Sequence, residues 1–283
     1  MRHAILGAGG IGGLVAGALA RSGEDVVLLM RAETLARYPG RLTVESAVLG
    51  NFEADVPAVA LLDRTADVLW LATKATQLEA ALTLAPVDQV GEATVIPFLN
   101  GVDHVARLRT RYPHVTAAAI RVESERISPT LFRQSSPFLR VEMAGAETAQ
   151  AELRRAGIEC RARDDELSLL WDKLAFLAPI ALATAALDAP LGAARQDVRF
   201  LGCRQEALAV ARAEGAQLDD DALRKLHDGA PATMRSSMQK DVAAGRQPEL
   251  DAIAGPILRG GQRHGIATES TEQLAEEIRA RAS

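Results

Sequence analysis

The chain has 283 residues, enough for two domains of ordinary size, each with its own core. Its composition, 48% hydrophobic and 24% charged, is that of a globular protein, and a formal net charge of −5 with both signs mixed leaves no basic footprint for nucleic acid. Two cysteines, Cys160 and Cys203, lie at no metal-ligand spacing, so neither a disulfide scaffold nor a metal site is expected, and a reducing, cytoplasmic setting is.

The first element is a short apolar run, Ala4-Ile5-Leu6, which reads as a strand. No signal peptide is expected, because a fold element begins at once. Gly7-Ala8-Gly9-Gly10-Ile11-Gly12 follows and opens a helical pattern from Leu14 to Leu19. On its own such a stretch is also an ordinary glycine-rich turn. Between a strand and a helix it is what a dinucleotide pyrophosphate needs. The first glycine makes the turn, the second admits the phosphates, and the third lets helix and strand close up against a helix N-terminus with free N–H groups.

Val26 to Met30, Val68 to Ala72 and Thr94 to Leu99 are further continuous apolar runs, as in strands buried on both faces of a parallel sheet. Helical segments at 76–84 and 103–111 separate them, which predicts a doubly wound sheet. Residues 117–143 carry short alternating pieces around Pro129 and Pro137, expected as antiparallel strands at the edge of that sheet. After about residue 164 strand signals stop, and 165–187, 196–214, 219–229, 250–264 and 270–281 have helical periodicity. The expected fold class is α/β: a Rossmann-type domain over 1–163, then an all-helical domain over 164–283, with a substrate cleft between them. The apolar run Leu174 to Leu187 contains Pro179, is too short to span a bilayer, and reads as a buried core helix. No membrane partner is expected.

The end of the second strand selects the nicotinamide cofactor. NAD-binding chains place Asp or Glu there for the ribose 2′-hydroxyl, whereas arginine suits a 2′-phosphate. Arg31 follows Met30, which favours NADPH, although a solvated surface arginine would look the same. The chain has 28 arginines against four lysines, at 74, 173, 225 and 240, and only two asparagines, Asn51 and Asn100. A lysine is therefore informative where it occurs. Lys173 is expected at the head of the most apolar helix, where desolvation would lower its pKa toward a general-acid range and a carboxylate such as Glu249 could position it. A snorkelling lysine and a helix-capping glutamate are the plainer alternatives.

These motifs, taken in order, resemble the ketopantoate reductase (2-dehydropantoate 2-reductase) family. The resemblance runs from residue 1 to about 275 through G-A-G-G-I-G, Arg31, A-T-K-A-T-Q at 72–77, L-N-G-V at 99–102, L-W-D-K-L-A, S-S-M-Q-K-D-V-A-A-G-R at 236–246, P-E-L-D-A-I-A-G and R-H-G-I-A-T. It implies that Lys173 is the general acid, that Glu249 orients lysine and cofactor, and that Ser237 meets substrate. It also implies that Gly7, Ala8, Gly9, Gly10, Ile11 and Gly12, with Arg31, Lys74, Gln77, Asn100 and Glu249, hold NADPH. Asn100 and Lys173 would also touch the substrate. Reduction of a 2-keto acid in pantothenate biosynthesis, in a cytoplasmic homodimer, is the function so implied.

In one respect the sequence departs from that pattern. Where the family carries substrate-binding asparagines, one and two turns past the lysine, this chain has Leu177 and Ala181; two further family asparagines fall on Leu191 and Met234. Apolar residues in place of amides predict a substrate more apolar than ketopantoate, with Leu177 and Ala181 against it. Two other readings stand beside this one: an opine or 3-hydroxy acid dehydrogenase, and an NADPH sensor without turnover. The S-S-M and E-L-D blocks argue against the first, and retention of Lys173 with Glu249 against the second.

Overall fold

A computed structural model describes residues 1–282. Two compact units appear: Met1–Leu99 with His104–Leu169, and Asn100–Asp103 with everything from Leu170 onward. The first contains, in chain order, β1 (Arg2–Leu6), α1 (Gly10–Arg21), β2 (Asp25–Leu29), α2 (Ala32–Leu35), β3 (Arg41–Ser46), β4 (Phe52–Asp55), β5 (Ala58–Val59) and β6 (Val68–Leu71). There follow α3 (Leu78–Leu82), α4 (Val87–Val90), β7 (Thr94–Pro97), most of α5 (Asp103–Arg109), β8 (Ala118–Arg121), β9 (Ser124–Arg126), β10 (Leu131–Gln134), β11 (Arg140–Met143), α6 (Glu147–Arg155) and β12 (Glu159–Ala162).

The central sheet has the order β5-β2-β1-β6-β7 and every pair in it is parallel. Its strands are the four continuous apolar runs of the sequence with the two-residue β5 added. Both faces of such a sheet are covered, so Ile5, Leu28, Leu69 and Trp70 are wholly buried. This is the expected Rossmann-type sheet.

Residues 117–143 do not extend the edge of that sheet. They divide between two others, β4-β3-β10-β9 and β12-β11-β8. The first of these lies on α1, and the reason is a set of glycines. Side chains at Gly13 and Gly17 would overlap the Phe132 ring and press on Leu42 and Val44, respectively. Glycine inside a helix costs about 1 kcal/mol against alanine. Here it lets a sheet approach the helix backbone and bury Leu42, Val44 and Phe132 completely.

The second unit is helical: α7 (Glu166–Leu187, whose first turn belongs to the first unit), α8 (Leu191–Ala194), α9 (Val198–Ala213), α10 (Asp220–Gly229), α11 (Ser237–Ala243), α12 (Leu250–His264) and α13 (Glu269–Ala282). Side chains of Asp197, Asp219 and Ser236 accept from the N–H groups of Arg199, Ala222 and Gln239, which caps α9, α10 and α11. By length and composition α7 could cross a membrane, being longer than the apolar run seen in the sequence, but 78% of its most apolar window is buried inside the protein. It is a core helix. No other helix among the described residues is long and apolar enough to cross a membrane.

His227 of α10 is enclosed in this unit. Its Nε2 lies 2.9 Å from the Phe176 carbonyl oxygen, and its ring stacks on Phe176 and meets Phe200 edge-on. A carbonyl can only accept, so Nε2–H donates, and the buried Nδ1 has no partner. Burial holds the imidazole neutral and lowers its pKa to about 4, against 6.5 for a free side chain. A lowered histidine pKa contributes stability that is full above the unfolded value and is lost as pH falls toward the folded one. Acidification from pH 7 to 5 should therefore remove about 2 kcal/mol through this residue. Urea unfolding at both pH values should show the loss in the wild type and a smaller one in His227→Gln. An equal pH dependence in the two proteins would contradict the assignment.

Candidate active site

The glycine turn is built by close approach. Gly7 has φ +105°, a region side chains rarely adopt, and a Cβ there would lie 2.8 Å from the Thr73 methyl and 2.9 Å from the Ala72 backbone. A Cβ on Gly12 would overlap the Gly7 carbonyl, and one on Gly10 the Ser124 carbonyl. Gly9 is different. The nearest atom to its Cβ position is the Ala72 carbonyl oxygen at 3.9 Å, an ordinary contact. No described residue crowds that position, so a side chain there would stand only on the open side where a ligand would approach.

Gly9 is the N-cap of α1, with no side-chain cap and no acidic residue in the first turn. The first N–H groups of the helix therefore have no acceptor within the helix, and its positive end has no local counter-charge. The Thr73 hydroxyl, beside Gly7 just after β6, is buried without a partner among the described residues. Orphan donors, a turn free of side chains and an unused hydroxyl fit a dinucleotide phosphate well.

The other residues expected around a cofactor in the first unit lie at strand ends. Arg31 follows β2 at the N-cap of α2, exposed, with no ion pair or side-chain hydrogen bond among the described residues. Lys74 is half-buried at the start of a 3₁₀ turn, Ala75–Gln77, that follows β6, and Gln77 is exposed at its end.

The second unit gathers the remaining candidates. Asn100 donates from Nδ2 to Glu249 Oε2 at 3.1 Å, across 149 residues of sequence. Gly101 makes this possible: φ is +88° and a Cβ would overlap the Ala252 carbonyl in the first turn of α12. Glu249 does stand at the N-cap of α12, yet its carboxylate makes no cap hydrogen bond. It is turned to Asn100, so the helix-capping alternative does not hold. The sequence offered no signal for this pairing.

Lys173 is half-buried. It is the eighth residue of α7 rather than at its head, because the helix starts at Glu166. A spacing of four places Leu177 and Ala181 on the same face. Leu177 and Met234 are partly exposed, whereas Ala181 and Leu191 are closed off at 1% and 0% exposure. The backbone N–H groups of Leu191 and Gly192 donate to the carbonyls of Met234 and Ala232, tying α8 to the segment before α11. Ala181 and Leu191 are thus closed apolar positions, a floor with no exposed surface, whereas Leu177 and Met234 keep accessible surface. The two serines divide their work. Ser236 is buried, caps α11 and lies 2.7 Å from the Thr184 hydroxyl, while Ser237 is exposed on the first residue of α11.

Fold and glycine turn together define a Rossmann-type oxidoreductase. More narrowly, residues 3–144 match the family described as Ketopantoate reductase PanE/ApbA and residues 166–282 its C-terminal counterpart, so the chain belongs to the ketopantoate reductase family and is an oxidoreductase acting on C=O or CH–OH groups. A 2-dehydropantoate 2-reductase of Caulobacter vibrioides is 29% identical over 283 residues, 96% of each chain. Among solved structures, a PanE/ApbA family ketopantoate reductase from Ralstonia eutropha JMP134 superposes with TM-score 0.89 at 27% identity, covering 100% of this chain and 98% of that one. The same fold recurs in D-mandelate dehydrogenase with NADH and anilino(oxo)acetate, with TM-score 0.90 at 22% identity, covering 100% of this chain and 98% of that one.

The glycines give a direct check on the turn. Gly9→Ala should melt within a few degrees of wild type and yet lose most dinucleotide affinity, because its methyl would stand only in the ligand's approach. Gly12→Ala should lower the melting temperature, since helix and strand must separate. Retained affinity in Gly9→Ala, measured by calorimetric titration, would remove the turn from the binding site.

Proposed function

We propose that the chain is an NADPH-dependent reductase of 2-keto acids whose substrate is more apolar than ketopantoate. The observation that carries this reading is Lys173, a half-buried lysine in an arginine-rich chain, on the face of α7 that continues into Leu177 and the apolar floor. The bound nicotinamide would supply a hydride to C2 of the keto acid. Lys173 Nζ would stabilise the negative charge that gathers on the former carbonyl oxygen and then donate the proton. Arginine could meet that charge but, with a pKa above 12, could not readily release a proton. Glu249, held by Asn100, would orient lysine and cofactor, and Ser237 would donate to the substrate. Leu177 and Met234 would cover its side chain.

Apolar floor residues favour a substrate without a hydroxyl, since an unpartnered hydroxyl against them costs about 1–3 kcal/mol. The fold is compatible with such a molecule, because D-mandelate dehydrogenase holds anilino(oxo)acetate, an oxamate whose amide carbonyl stands beside a carboxylate and which ends in an aromatic ring. Arg31, unpaired at the end of β2, would read the 2′-phosphate and favour NADPH over NADH. Cys160 and Cys203 are both buried free thiols, in keeping with a reducing cytoplasmic setting, and a homodimer is the expected assembly.

Lys173→Ala should lower kcat by about 10²–10⁴ while NADPH affinity stays near normal, and Lys173→Arg should recover only part of the rate. Turnover above half of wild type in Lys173→Ala would make the lysine a packing residue. Arg31→Ala should weaken NADPH about tenfold and leave NADH nearly unchanged, the low end for a charge-assisted bond at an exposed site. Equal loss of both cofactors would assign Arg31 a structural role.

A further inference from the structure

β9 crosses the mouth of the glycine turn, and alternate residues of it face the turn. Ser124 comes first: its hydroxyl donates to the Gly10 carbonyl at 2.8 Å, and its own carbonyl occupies the space a Gly10 side chain would need. Arg126 comes next. Its Nη1 donates to the Ala8 carbonyl at 3.3 Å and its Nε to the Ser128 carbonyl at 3.2 Å. Two carbonyls thus hold the guanidinium plane in place over the turn. Glu125, between the two, alternates to the opposite face of the strand.

A guanidinium has five N–H donors, of which these bonds use two. No carboxylate pairs with Arg126 among the described residues, and the side chain is exposed. An oriented cation without a counter-ion therefore stands beside the uncapped N-terminus of α1, whose first turn has no acid either. Two positive features converge on the turn, and the fork geometry of arginine matches the oxygens of a phosphate.

We propose that Arg126 is a second arm of the phosphate cradle and pairs with the pyrophosphate of the cofactor. The assignment rests on the reading of residues 7–12 as a dinucleotide site. The pyrophosphate is favoured over the 2′-phosphate by position. Arg126 is anchored to Ala8, next to Gly9, the glycine that leaves room for the phosphates, whereas the ribose is read at the end of β2, where Arg31 stands.

Affinities of NADPH, NADH, ADP-ribose and 2′,5′-ADP for wild type, R126A, R126K and R31A test the assignment by calorimetric titration. ADP-ribose carries the pyrophosphate without a 2′-phosphate, whereas 2′,5′-ADP carries the 2′-phosphate with a single 5′-phosphate in place of the pyrophosphate. R126A should weaken NADPH, NADH and ADP-ribose alike, each about tenfold, and weaken 2′,5′-ADP, which has a single phosphate at that end, less. R31A should show the complementary pattern, losing NADPH and 2′,5′-ADP only. R126K keeps the charge but not the fork, so it should fall between wild type and R126A, and it decides the matter if R126A does not fold. Unchanged affinity for ADP-ribose and NADH in both Arg126 variants, with wild type binding normally, would overturn the role of Arg126 alone. Loss confined to NADPH and 2′,5′-ADP would overturn the pyrophosphate assignment. Failure of the wild type to bind any of the four would remove the dinucleotide reading and this inference together.

Discussion

A side chain on Gly12 would overlap the carbonyl oxygen of Gly7, and this close contact between α1 and the turn after β1 is the one on which the first unit depends. It sets the height of α1 above the central sheet, and so the point where the helix presents its uncapped N–H groups. The same helix then lacks side chains at Gly13 and Gly17, so β3 and β10 can rest on it. β9 pairs with β10 and is carried over the turn with Ser124 and Arg126. One close packing thus places the helix terminus, the covering strand and the cation beside it. Glycine is unfavourable in a helix by about 1 kcal/mol, and α1 contains four, at 10, 12, 13 and 17. Burial of Leu42, Val44 and Phe132 offsets that cost, since each large apolar side chain contributes about 1.5–3 kcal/mol.

In the second unit the chemistry is arranged by exclusion. Ala181 of α7 and Leu191 of α8 are buried, and His227 is held neutral between Phe176 and Phe200. Two of the buried hydroxyls are satisfied locally: Ser236 by its cap and Thr184 by Ser236. Lys173, Leu177 and Met234 remain partly exposed, and Ser237 is exposed.

The central strands were legible in the sequence because burial on both faces writes an uninterrupted apolar run, as in Val68-Leu69-Trp70-Leu71. β3 and β10 alternate and rest one face on α1, and their runs are too short and mixed to stand out. β5 has two residues and α8 four, below any period that can be read. Of the candidate site, the glycine turn and Lys173 were legible because their residue types are unusual in their places. The Asn100–Glu249 bond was not, since the partners are 149 residues apart and Glu249 stands where a capping glutamate would also stand. Arg126 was hidden differently: one arginine among 28, in a stretch without periodicity, carries no signal until its carbonyl partners are seen.

The central claim is that apolar residues at the substrate end have changed what this reductase accepts, while Lys173 still supplies the proton. The direct measurement compares kcat/KM with NADPH for ketopantoate and for 3,3-dimethyl-2-oxobutanoate, two 2-keto acids that differ by one hydroxyl. An unpartnered hydroxyl against Leu177 and Met234 predicts that the dimethyl compound is preferred by about tenfold or more. A preference for ketopantoate would contradict the account and show that other groups receive its hydroxyl.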